Sequence, residues 1–107
     1  MAPREGGIRD LVLSGRWELS RHAERERQAD KIFLWEIEAA LIDCEVIEDY
    51  PDDQRGPSFL TLGFARGRPI HIVGTIRNDF GELLLITIYD PSKSPQVWTE
   101  DYRKRKE

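Results

Sequence analysis

Apolar residues recur at helical spacing in the first half of this chain and at strand spacing in the second. Ile8, Leu11, Val12 and Leu13 precede Ser14-Gly15 and predict a short helix over 8–13 that glycine stops. Trp17 to Leu19 reads as a brief extended segment ending at Ser20, whose hydroxyl can cap the next helix. That helix, Arg21 to Lys31, consists of helix formers with only Ala23 and Ala29 apolar, so it belongs on the surface and buries a narrow alanine face. From Ile32 to Cys44 the pattern differs: Leu34, Ile37, Leu41 and Cys44 repeat every three or four residues, as in the main core helix. The period then changes at Val46 and Ile47, and the Pro/Asp/Gly-rich stretch from about Tyr50 to Pro57 predicts a loop.

Three strands follow. Ser58 to Phe64 sets Leu60, Leu62 and Phe64 on one face, and Arg66-Gly67-Arg68 turns the chain. Pro69 to Arg77 alternates Ile70, Ile72, Gly74 and Ile76 against His71, Val73, Thr75 and Arg77. After a turn at Asn78 to Gly81, Leu83 to Tyr89 alternates Leu84, Ile86 and Ile88 against Leu83, Leu85, Thr87 and Tyr89. The order predicts an α+β fold, with N-terminal helices on one face of an antiparallel sheet of three to four strands. A single domain is expected over 1–107, with its folded body at 8–90 and a tail or arm, or a frayed helix, at 91–107.

Composition narrows the function classes. At 107 residues the chain has room for one core and no second domain. One cysteine permits no internal disulfide, and with two histidines it makes a thiolate-rich zinc site impossible within one chain. A reducing, cytoplasmic location is the expectation, with no membrane association, no cofactor and no metal. Sixteen basic against twenty acidic residues give a net charge of −4, unlike a generic nucleic-acid binder. The charge is uneven, however. Asp43 to Asp53 holds six acids and no base, which leaves sixteen bases against fourteen acids elsewhere.

Register supplies candidate chemistry. If the Ile70/Ile72/Ile76 face meets the helices, then His71, Thr75, Arg77, Thr87 and Tyr89 share the uncovered side. An imidazole, a phenol, a guanidinium and hydroxyls together suit proton transfer beside an anion. They also suit an ordinary solvated sheet face. His22 falls in the first turn of the helix after Ser20, where free backbone N–H groups favour an anion; a surface histidine with no role is the competing reading. Trp17, Trp35 and Trp98 read as packing, as does Cys44 on its apolar stripe.

Several segments carry a resemblance: SRHAERE at Ser20 to Glu26, IEAAL at Ile37 to Leu41, EVIEDYPDD and RGPS within Glu45 to Ser58, RPIHIV at Arg68 to Val73, and ITIYDP at Ile86 to Pro91. They resemble small bacterial proteins grouped as domain-of-unknown-function family 4258, over roughly Ile8 to Trp98. In element order and in the Ser-x-His-Ala start of a helix, that family is similar to RelE/MqsR-like toxins of toxin-antitoxin pairs. The resemblance implies a metal-independent mRNA endoribonuclease working by attack of a ribose 2′-OH on the adjacent phosphate. His22, His71 and Tyr89 match that pattern and would be catalytic; Arg77, Thr75 and Thr87, added from strand register, and Arg21 and Arg27 on the helix are the expected substrate-binding residues. Implied partners are RNA or the ribosome and an antitoxin of zinc-finger or DNA-binding type. The resemblance implies arginines four and eight residues after the histidine, as in many members, where this chain has Glu26 and Asp30. The alternative expectation is a non-catalytic protein–protein interaction module, with the acidic loop Asp43 to Asp53 and the basic tail as its contact surfaces.

Overall fold

The computed structural model describes residues 3–54, 56–77 and 81–107. Helix α1 (Pro3–Leu13) leads through β1 (Trp17–Leu19) into α2 (Arg21–Ala29) and α3 (Leu34–Ile42). Strands β2 (Glu45–Tyr50), β3 (Ser58–Ala65), β4 (Arg68–Arg77) and β5 (Glu82–Tyr89) follow, then a 3-10 turn at Pro91–Lys93. The helix starts obey their local chemistry. Ser20 Oγ accepts the Ala23 N–H at 3.0 Å, and the Glu36 carboxylate accepts the Phe33 N–H at 2.8 Å.

The sheet corrects the expectation of three to four antiparallel strands. It has five, in the order β1-β5-β4-β3-β2, and β1 runs parallel to β5 while the other neighbours are antiparallel. The extra edge strand β2 lies inside the acidic stretch, and charged residues suit an edge that has a neighbouring strand on one side alone. The predicted turn at Asn78 to Gly81 lies outside the described residues except for Gly81, whose φ is +72°.

Helices cover one face. Phe59, Ala65, Ile70, Ile72, Leu83, Leu85 and Ile88 form a single core with Ile8, Val12, Ala23, Ile32, Ile37, Ala40, Leu41 and Cys44. The predicted faces of β5 are therefore wrong at its start: Leu83 and Leu85, not Leu84, point at the helices. A bulge explains the change. Val73 pairs with Thr87 but Gly74 pairs with Leu85, so Ile86 is an extra residue that switches the alternation. Ile76, predicted to meet the helices, lies near the end of β4 and is 39% exposed.

Gly63 fixes the separation of the layers. A Cβ there would come within 1.8 Å of the Ala40 carbonyl oxygen, so α3 lies on bare β3 backbone. Gly63→Ala should cost roughly 3 kcal/mol or more, because the obstacle is helix backbone and not a side chain that can swing away. Urea denaturation checks this, and an unchanged midpoint would contradict the packing described.

The second face is not open. Leu60, Leu62, Ile86 and Trp98 are buried yet lie outside the helix-side core. Residues 94–107 fold back over β3 and β4, closed on themselves by hydrogen bonds from Thr99 N–H to the Lys104 carbonyl and from Lys106 N–H to the Val97 carbonyl, both at 2.8 Å. The tail predicted as an arm or frayed helix is thus a second covering layer with Trp98 beneath it. Its physical cause is β3, which is apolar on both sides and needs cover on both.

Candidate functional site

Two clusters of titratable groups meet near the end of β5, one enclosed and one open. The enclosed cluster forms because Glu48, Leu62, His71 and Tyr89 share the sheet face opposite the helices. Register pairs His71 with Leu62 on one side and with Tyr89 on the other. His71 is fully buried. Its Nε2–H donates to the Tyr102 carbonyl at 2.9 Å, and its Nδ1 accepts the Tyr89 hydroxyl at 3.1 Å. The Trp98 ring stands edge-on to the imidazole with centroids 4.4 Å apart. Burial pushes His71 down to about 4 and Tyr89 up to about 12, so both are neutral near pH 7.

Beside them Arg105 binds Glu48 through Nε at 2.9 Å and Nη2 at 3.2 Å, and its guanidinium covers the Trp98 ring at 4.6 Å. Tyr50 also donates to Glu48. Burial works upward on the Glu48 carboxyl, but the hydrogen bonds from Arg105 and Tyr50 outweigh it and hold it below the usual range. Arg103 meets Glu45 at 3.0 Å. Acids of the 43–53 stretch and bases of the tail thus face each other, whereas the sequence offered both to an outside partner.

The register inference for His71 and Tyr89 is half right. They do oppose the helices and they do touch, but the tail buries His71 and leaves Tyr89 half-buried. One consequence concerns acid. Unfolded chains protonate histidine near 6.5 and the buried imidazole resists until about 4, so the unfolded state binds the extra proton first. Stability should therefore fall as pH drops from about 6.5 towards 4, by roughly 3 kcal/mol. Denaturation midpoints over that range check it. His71→Gln should flatten the slope above pH 4.5, and a slope as steep as the parent's would contradict the assignment.

The open cluster lies where α2 runs along the bare edge of β5. Strand β1 pairs only with Leu83 to Leu85, and beyond that the bulge aims the backbone groups of Ile86, Ile88 and Asp90 at the helix. Three side chains meet them. Ser20 Oγ donates to the Ile86 carbonyl at 3.0 Å, Glu26 Oε1 accepts the Ile88 N–H at 2.9 Å, and Asp30 Oδ2 accepts the Asp90 N–H at 3.1 Å. Glu26 and Asp30 therefore have a structural use, as acceptors for the β5 edge. The other Glu26 oxygen lies 3.3 Å from His22 Nε2, and the His22 side chain is 64% exposed. A proton on Nε2, the nitrogen that faces Glu26, would leave Nδ1 as an acceptor. Arg21 and Arg25 share the exposed face of α2 and have no ion pair among the described residues.

Three of the remaining predicted substrate-binding residues have partners within the protein. Arg27 makes a bidentate bond with Glu24 at 2.7 and 2.9 Å and also holds the Ile32 carbonyl, closing the turn into α3. Arg77 pairs with Glu18. Thr75 is buried and donates to the Pro57 carbonyl at 2.7 Å. Thr87 is half-buried beside Val73. Glu26 and Arg25 were missed by sequence reasoning. The signal for Glu26 was its i,i+4 spacing from His22.

The family model for "Domain of unknown function (DUF4258)" matches residues 19–90. The chain belongs to this family. The matched span of the DUF4258 domain runs from the end of β1 through β5 and holds His22, Glu26, His71 and Tyr89, while the covering tail lies beyond it. No curated protein and no solved structure matches the chain. Among the described residues no group of three or more His, Cys, Asp or Glu side chains is placed to hold a metal, and no helix is long and apolar enough to cross a membrane. Burial pushes the Cys44 thiol up to about 12, as fits its place in the core.

Proposed function

We propose that this DUF4258 protein is a toxin of a toxin-antitoxin pair, with a RelE/MqsR-like fold, that cuts mRNA without a metal ion in the bacterial cytoplasm. One observation carries the reading: an exposed histidine lies 3.3 Å from a carboxylate that is itself fixed to the sheet backbone, with two arginines on the same helix face that have no ion pair among the described residues. A carboxylate that orients an imidazole fixes its tautomer and stabilises the imidazolium formed during proton transfer.

In this mechanism His22 Nδ1 takes the proton of a ribose 2′-OH. The 2′ oxygen bonds to the adjacent phosphorus, the bond to the 5′ oxygen breaks, and water protonates the departing oxygen. The products are a 2′,3′-cyclic phosphate and a free 5′-hydroxyl. Arg21 and Arg25 balance the charge on the crowded phosphate. An antitoxin of zinc-finger or DNA-binding type would neutralise the activity.

The test is incubation of single-stranded RNA or stalled ribosomes with the protein in EDTA at low salt, with analysis of the new ends. Glu26→Gln keeps an acceptor for the Ile88 N–H but loses the negative charge beside His22. It should retain the fold and slow cleavage about tenfold or more. Only Arg21 and Arg25 are assigned to phosphate, so binding should be weak and its loss with salt shallow, with the slope expected of about two phosphate contacts. Absence of cyclic phosphate ends, or a Glu26→Gln variant as fast as the parent, would overturn the reading.

A further inference from the structure

The connection between α2 and α3 presents three consecutive apolar side chains to solvent. Phe33, Leu34 and Trp35 are 60%, 47% and 47% exposed, although the sequence assigns Trp35 to packing. Their exposure does not come from a loose segment. Lys31 ends α2 with φ +56°, Arg27 holds the Ile32 carbonyl, and Glu36 holds the Phe33 N–H. Arg68, anchored on Asp90, holds the carbonyls of Asp30 and Lys31 at 2.7 and 3.1 Å. Ile32 turns inward and is 1% exposed, which satisfies the core and leaves the next three residues outside it. The result is a braced apolar corner.

A hollow of about 270 Å³ adjoins it, lined by Arg27, Gln28, Lys31, Ile32 and Phe33. Cations stand around the corner. Arg66 places its guanidinium 5.2 Å over the Trp35 ring, and neither it nor Lys31 has a carboxylate partner among the described residues. Glu38, half-buried one turn further along α3, is the acid on that face. An aromatic and aliphatic centre with an arginine-bearing rim has the make-up of a protein–protein contact surface.

We propose that this corner docks an acidic amphipathic helix of a partner protein. Its apolar face lies on Phe33, Leu34 and Trp35 with one side chain in the hollow, and its carboxylates meet Lys31 and Arg66. Charge decides between occupants. A second copy docked about a two-fold axis would bring two unpaired cations from each chain together against one Glu38 from each. A nucleic acid would leave Leu34 and the Ile32-lined hollow without a complementary surface and would set phosphates near Glu38. The inference is independent of the nuclease reading.

Fluorescence anisotropy tests it with a labelled designed helical peptide bearing leucine on one face and glutamate on the other. A lysine-for-glutamate counterpart and oligouridylate serve as rival probes. The glutamate peptide should bind the parent protein more tightly than either rival by about tenfold or more. Trp35→Ala and the double variant Lys31→Glu/Arg66→Glu should each weaken it about tenfold or more while circular dichroism stays unchanged. Equal binding of the lysine peptide, tighter binding of the RNA, or parent affinity in both variants would overturn the proposal. So would a dimer that Trp35→Ala disperses.

Discussion

Trp98→Ala is expected to destabilise the domain by about 3 to 5 kcal/mol, a large share of the stability of a chain this size. The indole is 3% exposed, lies on the sheet face opposite the helices and stands against the His71 ring. Arg105 covers its other side and ties the same segment to Glu48. Removing it leaves a cavity, uncovers Leu60 and Leu62, and loosens the Tyr102 carbonyl that receives the His71 N–H. Urea denaturation gives the size of the loss. His71 should also become easier to protonate in the variant, because burial is what keeps it neutral. A stability change below about 1 kcal/mol would mean that the tail rests on the sheet without holding it.

His22→Ala should reduce RNA cleavage by roughly a hundredfold to ten-thousandfold with almost no change in stability. The two halves of that expectation have separate causes. The imidazole is mostly exposed and carries no core contact, so its loss leaves α2 capped by Ser20 and held to β5 by Glu26 and Asp30. Proton removal from the 2′-OH, by contrast, is assigned to His22 in the proposed mechanism. Growth arrest on expression in a bacterium should disappear with the same substitution. If His22→Ala cleaves as fast as the parent, the base lies elsewhere and the open dyad is only a sheet-edge brace.

The helices were legible because each part of the signal was local. Ser20 caps α2, and the three-and-four spacing of Leu34, Ile37 and Leu41 marks α3. What was hidden depended on tertiary pairing. The acids of Glu45–Tyr50 read as a loop, although they form an edge strand whose charges meet Arg103 and Arg105. The bulge at Ile86 has no sequence mark, and it reversed the faces assigned to the first half of β5. Leu60 and Leu62 were given to the helix side, yet Phe59 beside them has the better claim to it. That continuous apolar run was the readable sign of a second covering layer.

The site divides in the same way. His71 and Tyr89 were placed together by alternation alone, and the structure brings them to 3.1 Å. Their enclosure was not legible, because it depends on Trp98 and Tyr102 more than twenty residues from His71 in sequence. Glu26 and Asp30 looked like losses of positive charge from a substrate groove. In the fold they are the acceptors that close the β5 edge, and the other Glu26 oxygen lies 3.3 Å from His22 Nε2.

The most direct test is a paired cleavage assay in EDTA on two end-labelled RNAs. One is all-ribose, and the other carries a single 2′-deoxy sugar on the 5′ side of the bond the protein cuts. The account predicts a cyclic phosphate end from the first with the parent protein, no cut at the modified position in the second, and neither cut with His22→Ala. Cutting at the deoxy position, or cutting of the ribose substrate by His22→Ala at the parent rate, would contradict it.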